Sequence, residues 1–186
     1  LNVGTATVLN IDGGSNLTIG TLTGTKLTTV DGSSATGNLG LTGNNAITYA
    51  ALKTGSGNDT IVMGTGLTAA DAIDGGGNTG ATGVDTVTAT VNALGTTTTS
   101  AALNIDNVET VTLEATTAAS YIDLSGSTGV TTINVGDANA AAGVTLGLSN
   151  MASTTKIGLG GVAADNEFKG TLIVNLADET GSADNV

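Results

Sequence analysis

The 186-residue chain contains no cysteine, no proline, no histidine and no arginine, and its four basic residues are Lys26, Lys53, Lys156 and Lys169. Without histidine or cysteine it cannot build a serine–histidine or cysteine–histidine nucleophile. Two carboxylate pairs, Asp106 with Glu109 and Glu109 with Glu114, are formal candidates for glycoside hydrolysis. Carbohydrate sites usually carry aromatic side chains, however, and aromatics are only 2% of this sequence. The chain is therefore read as non-catalytic. Missing thiols also mean that no disulfide staples the fold, so another cross-link is expected, and a bound cation can serve. No run of about 18 apolar residues is present, so no transmembrane helix is expected. No signal peptide is visible, and a start at Leu1 without methionine suggests a piece of a longer protein whose targeting signals lie elsewhere.

Positive charge is equally scarce. Sixteen acidic residues against four basic ones give a net charge of -12, which argues against nucleic-acid phosphates and anionic membranes as partners and in favour of cations. Neutralising that whole excess would take about six divalent ions, an upper bound, because solvated carboxylates need none. Hydrophobic residues make up 39% of the chain, enough for a core and too many for simple disorder. They are mainly Val, Ile, Leu and Ala, which suits thin stacked strands better than a globule built around large rings.

The chain is organised around Thr54 to Thr88, TGSGNDTIVMGTGLTAADAIDGGGNTGATGVDTVT. This stretch holds two imperfect copies of the nonapeptide G-G-x-G-x-D-x-U-x that forms calcium-binding β-rolls. The first, Thr54 to Val62, lacks only the opening glycine. The second starts at Asp74-Gly75-Gly76-Gly77, is interrupted by Asn78 to Thr82, and resumes as Gly83-Val84-Asp85-Thr86-Val87-Thr88. Calcium takes about six to eight oxygens, more than one short loop offers from side chains, so backbone carbonyls must turn inward. Gly55, Gly57, Gly75, Gly76 and Gly83 are expected to allow this by adopting positive φ. Asp59 and Asp85 add formal charge, and Ile61 and Val87 are the inward residues of the strands that follow.

Elsewhere short apolar alternations recur between glycine turns. Strands are expected at Thr86 to Val91, Leu103 to Leu113 with a turn between, Tyr121 to Leu124, Thr131 to Val135, Val144 to Leu148, Lys156 to Leu159 and Thr171 to Leu176. Leu67 to Ala72 is the nearest approach to a helix and is too short to be more than a turn. Asp31 and Asp123, each beside a strand end and followed by Ser and Gly, are read as Asx turns in preference to metal ligands. Ile11-Asp12-Gly13-Gly14 repeats at Ile73-Asp74-Gly75-Gly76. Thr-x-Thr at Thr86 to Thr88 and Thr110 to Thr112 invites an ice-binding reading, which the irregular spacing of the motif argues against. The fold class expected is all-β, a right-handed parallel β-solenoid or β-roll with threonine outside and valine or isoleucine inside; a β-sandwich is the alternative.

With TGSGNDTIVMG, IDGGG and GVDTVTATV followed by NIDNVETVTLEA, the chain resembles bacterial surface-layer proteins of the RTX, hemolysin-type calcium-binding group. The likeness extends more loosely over nearly all of 1–186, which is read as a single calcium-stabilised segment. It implies a secreted protein exported by the type I route, a calcium cofactor and self-association into a lattice on the cell surface. Attachment to cell-surface polysaccharide would fall to another domain. The ligands it implies are Gly55, Gly57, Asn58 and Asp59 in the first turn, and Asp74, Gly75, Gly76, Gly83 and Asp85 in the second. The insertion Asn78 to Thr82 departs from the family pattern. A calcium-rigidified segment of an RTX-type adhesin is the alternative function.

Overall fold

In the computed structural model, which describes residues 1–78, 83–137, 143–160 and 168–177, the alternating stretches form eighteen strands and no helix. The first coil holds β1 (Asn2–Gly4), β2 (Val8–Gly13), β3 (Leu17–Thr21) and β4 (Thr23–Gly24). The next two are simpler: β5 (Thr29–Ala35) with β6 (Leu39–Thr42), then β7 (Ala51–Lys53) with β8 (Thr60–Gly64). Two three-strand coils follow, β9 (Ala72–Asp74), β10 (Thr86–Val91) and β11 (Ala101–Ala102), then β12 (Asn104–Asp106), β13 (Thr110–Ala115) and β14 (Ser120–Asp123). The last two are β15 (Thr132–Asp137) with β16 (Thr145–Met151), and β17 (Lys156–Leu159) with β18 (Thr171–Leu176).

All the pairings between these strands are parallel and, apart from β1 with β4 in the first coil, join strands of successive coils, which makes a β-solenoid of about seven turns. A sandwich, built from antiparallel hairpins, is thereby excluded. One sheet runs the length of the molecule in the order β17-β15-β13-β10-β8-β6-β3. A second, β12-β9-β7-β5-β2, flanks its first part, and a third, β11-β14-β16-β18, flanks its second part. The short strands that recur along the sequence are thus successive faces of one coil after another. Leu67 to Ala72 is a turn leading into β9, as its length required.

Side-chain alternation turns this stacking into a core. In the long sheet Ile19, Leu41, Ile61, Val87, Val111, Ile133 and Ile157 form one continuous inward column. Leu9, Val30, Leu52, Ile73 and Ile105 form another in the second sheet. Most of these residues are buried in a single cluster, and each fully buried aliphatic side chain contributes about 1.5 to 3 kcal/mol.

Threonine lines the outside of the long sheet, with Thr60, Thr86, Thr110 and Thr132 in one column. The irregular spacing of the Thr-x-Thr motifs therefore does not put them out of register: residues between strands loop out and leave Thr86 and Thr88 facing Thr110 and Thr112. The array is small, because Val62 and Asn134 flank Thr88 and Thr112 in the second column and Thr112 is itself buried.

Candidate metal site

The calcium-type turns lie at one corner of the solenoid, where the chain passes from the second sheet into the long one. Gly55 to Asp59 joins β7 to β8, and Gly75 to Asp85 joins β9 to β10. Because β7 pairs with β9 and β8 with β10, the two turns stack on one another. Gly77 N–H donates to Gly55 O at 2.9 Å, and the Thr54 hydroxyl donates to Gly75 O at 2.7 Å. Of the five glycines expected at positive φ only Gly76 adopts it, at +82°. Another force selects glycine at this corner: the coils approach so closely that a Cβ on Gly75 would press on Asn107 O and stand 2.9 Å from Asp85 Oδ2. Part of the carbonyl set is thus engaged in stacking, since Gly55 O and Gly75 O both accept hydrogen bonds from the neighbouring coil.

The acidic side chains form a ladder. Asp59, Asp85 and Glu109 each stand one residue ahead of a strand of the long sheet, in three successive coils, and each reaches back to an amide of the coil before. Asp59 Oδ1 accepts from Leu39 N at 2.7 Å, Asp85 Oδ1 from Asp59 N at 2.7 Å, and Glu109 Oε2 from Asp85 N at 2.7 Å. Gly55 N adds a bond to Asp59 Oδ2 at 3.2 Å. An amide ladder runs alongside, with Asn38 N donating to Asn16 Oδ1 and Asn58 N to Asn38 Oδ1. Asn58 thus takes part in this ladder through its backbone, and its side-chain oxygen lies beside Gly83, 2.8 Å from where a Cβ would stand.

Among the described residues, two buried oxygens at this corner accept no hydrogen bond: Asp85 Oδ2 and Asn78 Oδ1. Asp85 is 1% exposed, and burial first, then the charges of Asp59, Glu109 and Asp74, push its carboxyl up to about 7 against the opposing bond from Asp59 N. A carboxylate held this way gains from taking up either a proton or a cation. Both orphaned atoms are hard oxygen donors of the kind calcium prefers. The corner fits a calcium ion in donor chemistry and in charge, with Asp85 and Asn78 offering uncommitted side-chain oxygens. Among the described residues no three acidic side chains converge on one point, so carbonyls and water would have to complete the shell.

The remaining acids have other work. Asp74 Oδ1 accepts from Gly76 N at 3.0 Å in an Asx turn and from Asn107 Nδ2 at 2.8 Å, while its Oδ2 lies 3.8 Å from Lys53 Nζ. Asp31 and Asp123 make the Asx turns expected of them, to Ser33 N at 3.1 Å and Ser125 N at 2.8 Å. Hydrogen bonds from the Ser33 side chain and backbone, and from Asn150 and Ser125, hold these two carboxyls below the usual range. Of the formal glycosidase pairs, Asp106 accepts from the Thr128 hydroxyl and Glu109 from Asp85 N. Residues 79–82 of the interrupting segment lie outside the described residues.

Sequence reasoning missed two members of this arrangement, Glu109 and Asn78, and one buried acid outside it, Asp71. Glu109 belongs to the ladder, and its signal was present: Asp59-Thr-Ile, Asp85-Thr-Val and Glu109-Thr-Val are one motif, an acid and a threonine ahead of a β-branched residue. Asn78 was set aside as insertion. Asp71, buried at a different corner, fell in a stretch read only as a turn. In comparisons with known proteins the chain matches no family profile, no curated protein and no solved structure.

Proposed function

We propose that this chain is a structural segment of a bacterial surface layer, a solenoid that calcium locks at the Asp59–Asp85–Glu109 corner and that associates with its own copies into a lattice outside the cell. The observation that carries the reading is the orphaned, buried Asp85 Oδ2, which feels the charges of Asp59, Glu109 and Asp74. The likeness of TGSGNDTIV and its successor turn to RTX repeats, the net charge of -12 and the absence of thiols support it. Where calcium is scarce, as in the cytoplasm, repulsion within the ladder and the entropy of glycine-rich turns keep the chain loose enough for type I export. Outside, binding becomes folding free energy. The walls of the solenoid then present a rigid, polar surface for lattice contacts, with no catalysis required.

A thermal melt with calcium and with chelator, followed by electron microscopy of the calcium-loaded protein, tests this. The expected result is a melting temperature that rises with calcium and ordered sheets at high protein concentration. Equal heat resistance after exhaustive metal stripping sinks the calcium assignment. A calcium-dependent rise without assembly removes the lattice and leaves a rigid adhesin segment.

A further inference from the structure

The chain has three aromatic residues, and two of them face inward: Tyr49 is fully buried and Phe168 packs on the core. Tyr121 faces out from β14 and is partly exposed. Next to it in the column stands Gly147, then Ile173. A Cβ at Gly147 would come within 2.6 Å of Tyr121 Cδ1, so the ring leans over a position where only glycine leaves room. Beside this column runs Ser149, paired with Asp123. On the side of the preceding coil stands the 96–100 loop, which closes on itself through Thr96 N to Thr99 O at 2.8 Å, while Leu94 O accepts from Tyr121 N at 2.7 Å. The result is a trough of about 210 Å³, with Tyr121 and Ile173 as its apolar parts and Thr97, Ser100, Ser149 and Asn175 as its polar ones.

We propose that this trough binds a neutral sugar ring of a polysaccharide. A pyranose offers an apolar C–H face and a rim of hydroxyls, and the trough offers a tyrosine ring with neutral donors and acceptors around it. Among the described residues no charged side chain lines it, and a chain of net charge -12 repels anionic ligands. The volume suits a single ring rather than a drug-sized molecule. The competing role for Tyr121 is purely structural, a ring that covers the outward-facing Gly147 and leaves it buried. This inference stands apart from the calcium reading and survives its failure.

The test is a nuclear magnetic resonance titration of the isotope-labelled, calcium-loaded chain with glucose, galactose, mannose, N-acetylglucosamine and a neutral dextran oligosaccharide. Shifts are expected to be confined to the Tyr121 ring, Gly147, Ser149 and the Asn175 amide, saturating in the millimolar range. Asn175→Ala, which leaves the ring over Gly147 intact, should weaken binding about five-fold at unchanged melting temperature. Tyr121→Ala should abolish it. Absence of shifts with every sugar, shifts centred elsewhere, or undiminished binding by both variants overturns the proposal.

Discussion

Asp71 and Asp85 belong to the same coil, are 2% and 1% exposed, and each stands one residue ahead of a strand. Each also accepts a backbone N–H from the preceding coil, Tyr49 N to Asp71 Oδ1 at 2.6 Å and Asp59 N to Asp85 Oδ1 at 2.7 Å. They part at the second oxygen. Asp71 Oδ2 accepts from Thr68 N at 2.8 Å and from the Thr68 hydroxyl at 2.9 Å, so its charge is solvated by the protein itself. Asp85 Oδ2 accepts no hydrogen bond among the described residues, and its carboxyl feels the charges of Asp59, Glu109 and Asp74. The same residue in the same local frame is a finished clamp at one corner and an incomplete site at the other. Burial of an acid therefore does not by itself point to a metal site; the unanswered oxygen is what sets Asp85 apart as the candidate.

The largest effect expected is at the finished corner. Asp71→Ala leaves the Tyr49 and Thr68 amides without their acceptor, and should lower unfolding free energy by about 3 kcal/mol. The loss should be equal in calcium and in chelator when read from denaturant midpoints. A loss that appears only in calcium would make Asp71 a ligand and dissolve the contrast.

Asp85→Asn attacks the other side of the comparison. The amide oxygen still accepts from Asp59 N, and removing the charge relieves the ladder, so in chelator stability should stay within about 1 kcal/mol of the parent. In calcium the variant should forfeit the stabilisation that a saturating ligand supplies, about 2.7 kcal/mol at a hundredfold excess over its dissociation constant. Melting curves in the two buffers separate these outcomes. An undiminished calcium response in the Asp59→Ala, Asp85→Ala double variant would remove the site assignment altogether.

Acidity should act on the two corners differently as well. The Asp85 carboxyl titrates near 7 in the folded chain and at about 3.9 when unfolded. Between those values the folded state holds a proton that the unfolded state has released, so metal-free stability should be highest at the acid end of that window and fall as pH rises towards 7. Asp85→Asn should flatten this slope and Asp71→Ala should leave it in place. Urea midpoints measured in chelator from pH 4 to 7 give the answer, and a rise in stability across that range for the parent chain would contradict it.

Much of this was legible in the residues. Alternation and glycine punctuation gave strands at Thr86–Val91, Lys156–Leu159 and Thr171–Leu176 with the bounds observed, because each strand buries one face and a register slip would expose it. The two calcium-type turns were legible as copies of one pattern, each delivering an aspartate into a strand, while their stacking came only from the structure. What escaped was anything fixed by the neighbouring coil. Gly75 is glycine because Asn107 O lies against it, thirty-odd residues away in sequence, and no local pattern contains that distance. Asp71 escaped likewise, since its main partner is Tyr49 in the coil before.

The smallest effect expected concerns the surface above the incomplete corner. Asp31, Lys53, Asp74 and Asp106 form one outward column of the second sheet, so Lys53 is the only cation in it and sits between two acids. Its Nζ is 3.8 Å from Asp74 Oδ2, with side chains 48% and 32% exposed. Solvent at such a site screens the attraction, and ordering a long lysine side chain offsets most of what remains. Lys53→Ala should therefore shift unfolding free energy by no more than about 0.5 kcal/mol, and added salt should shrink even that. Asp74 is one of the charges that raise the Asp85 carboxyl. A Lys53→Ala chain whose calcium response changed as much as that of Asp85→Asn would show that surface charge, and not the buried orphaned oxygen, sets the difference between the two corners.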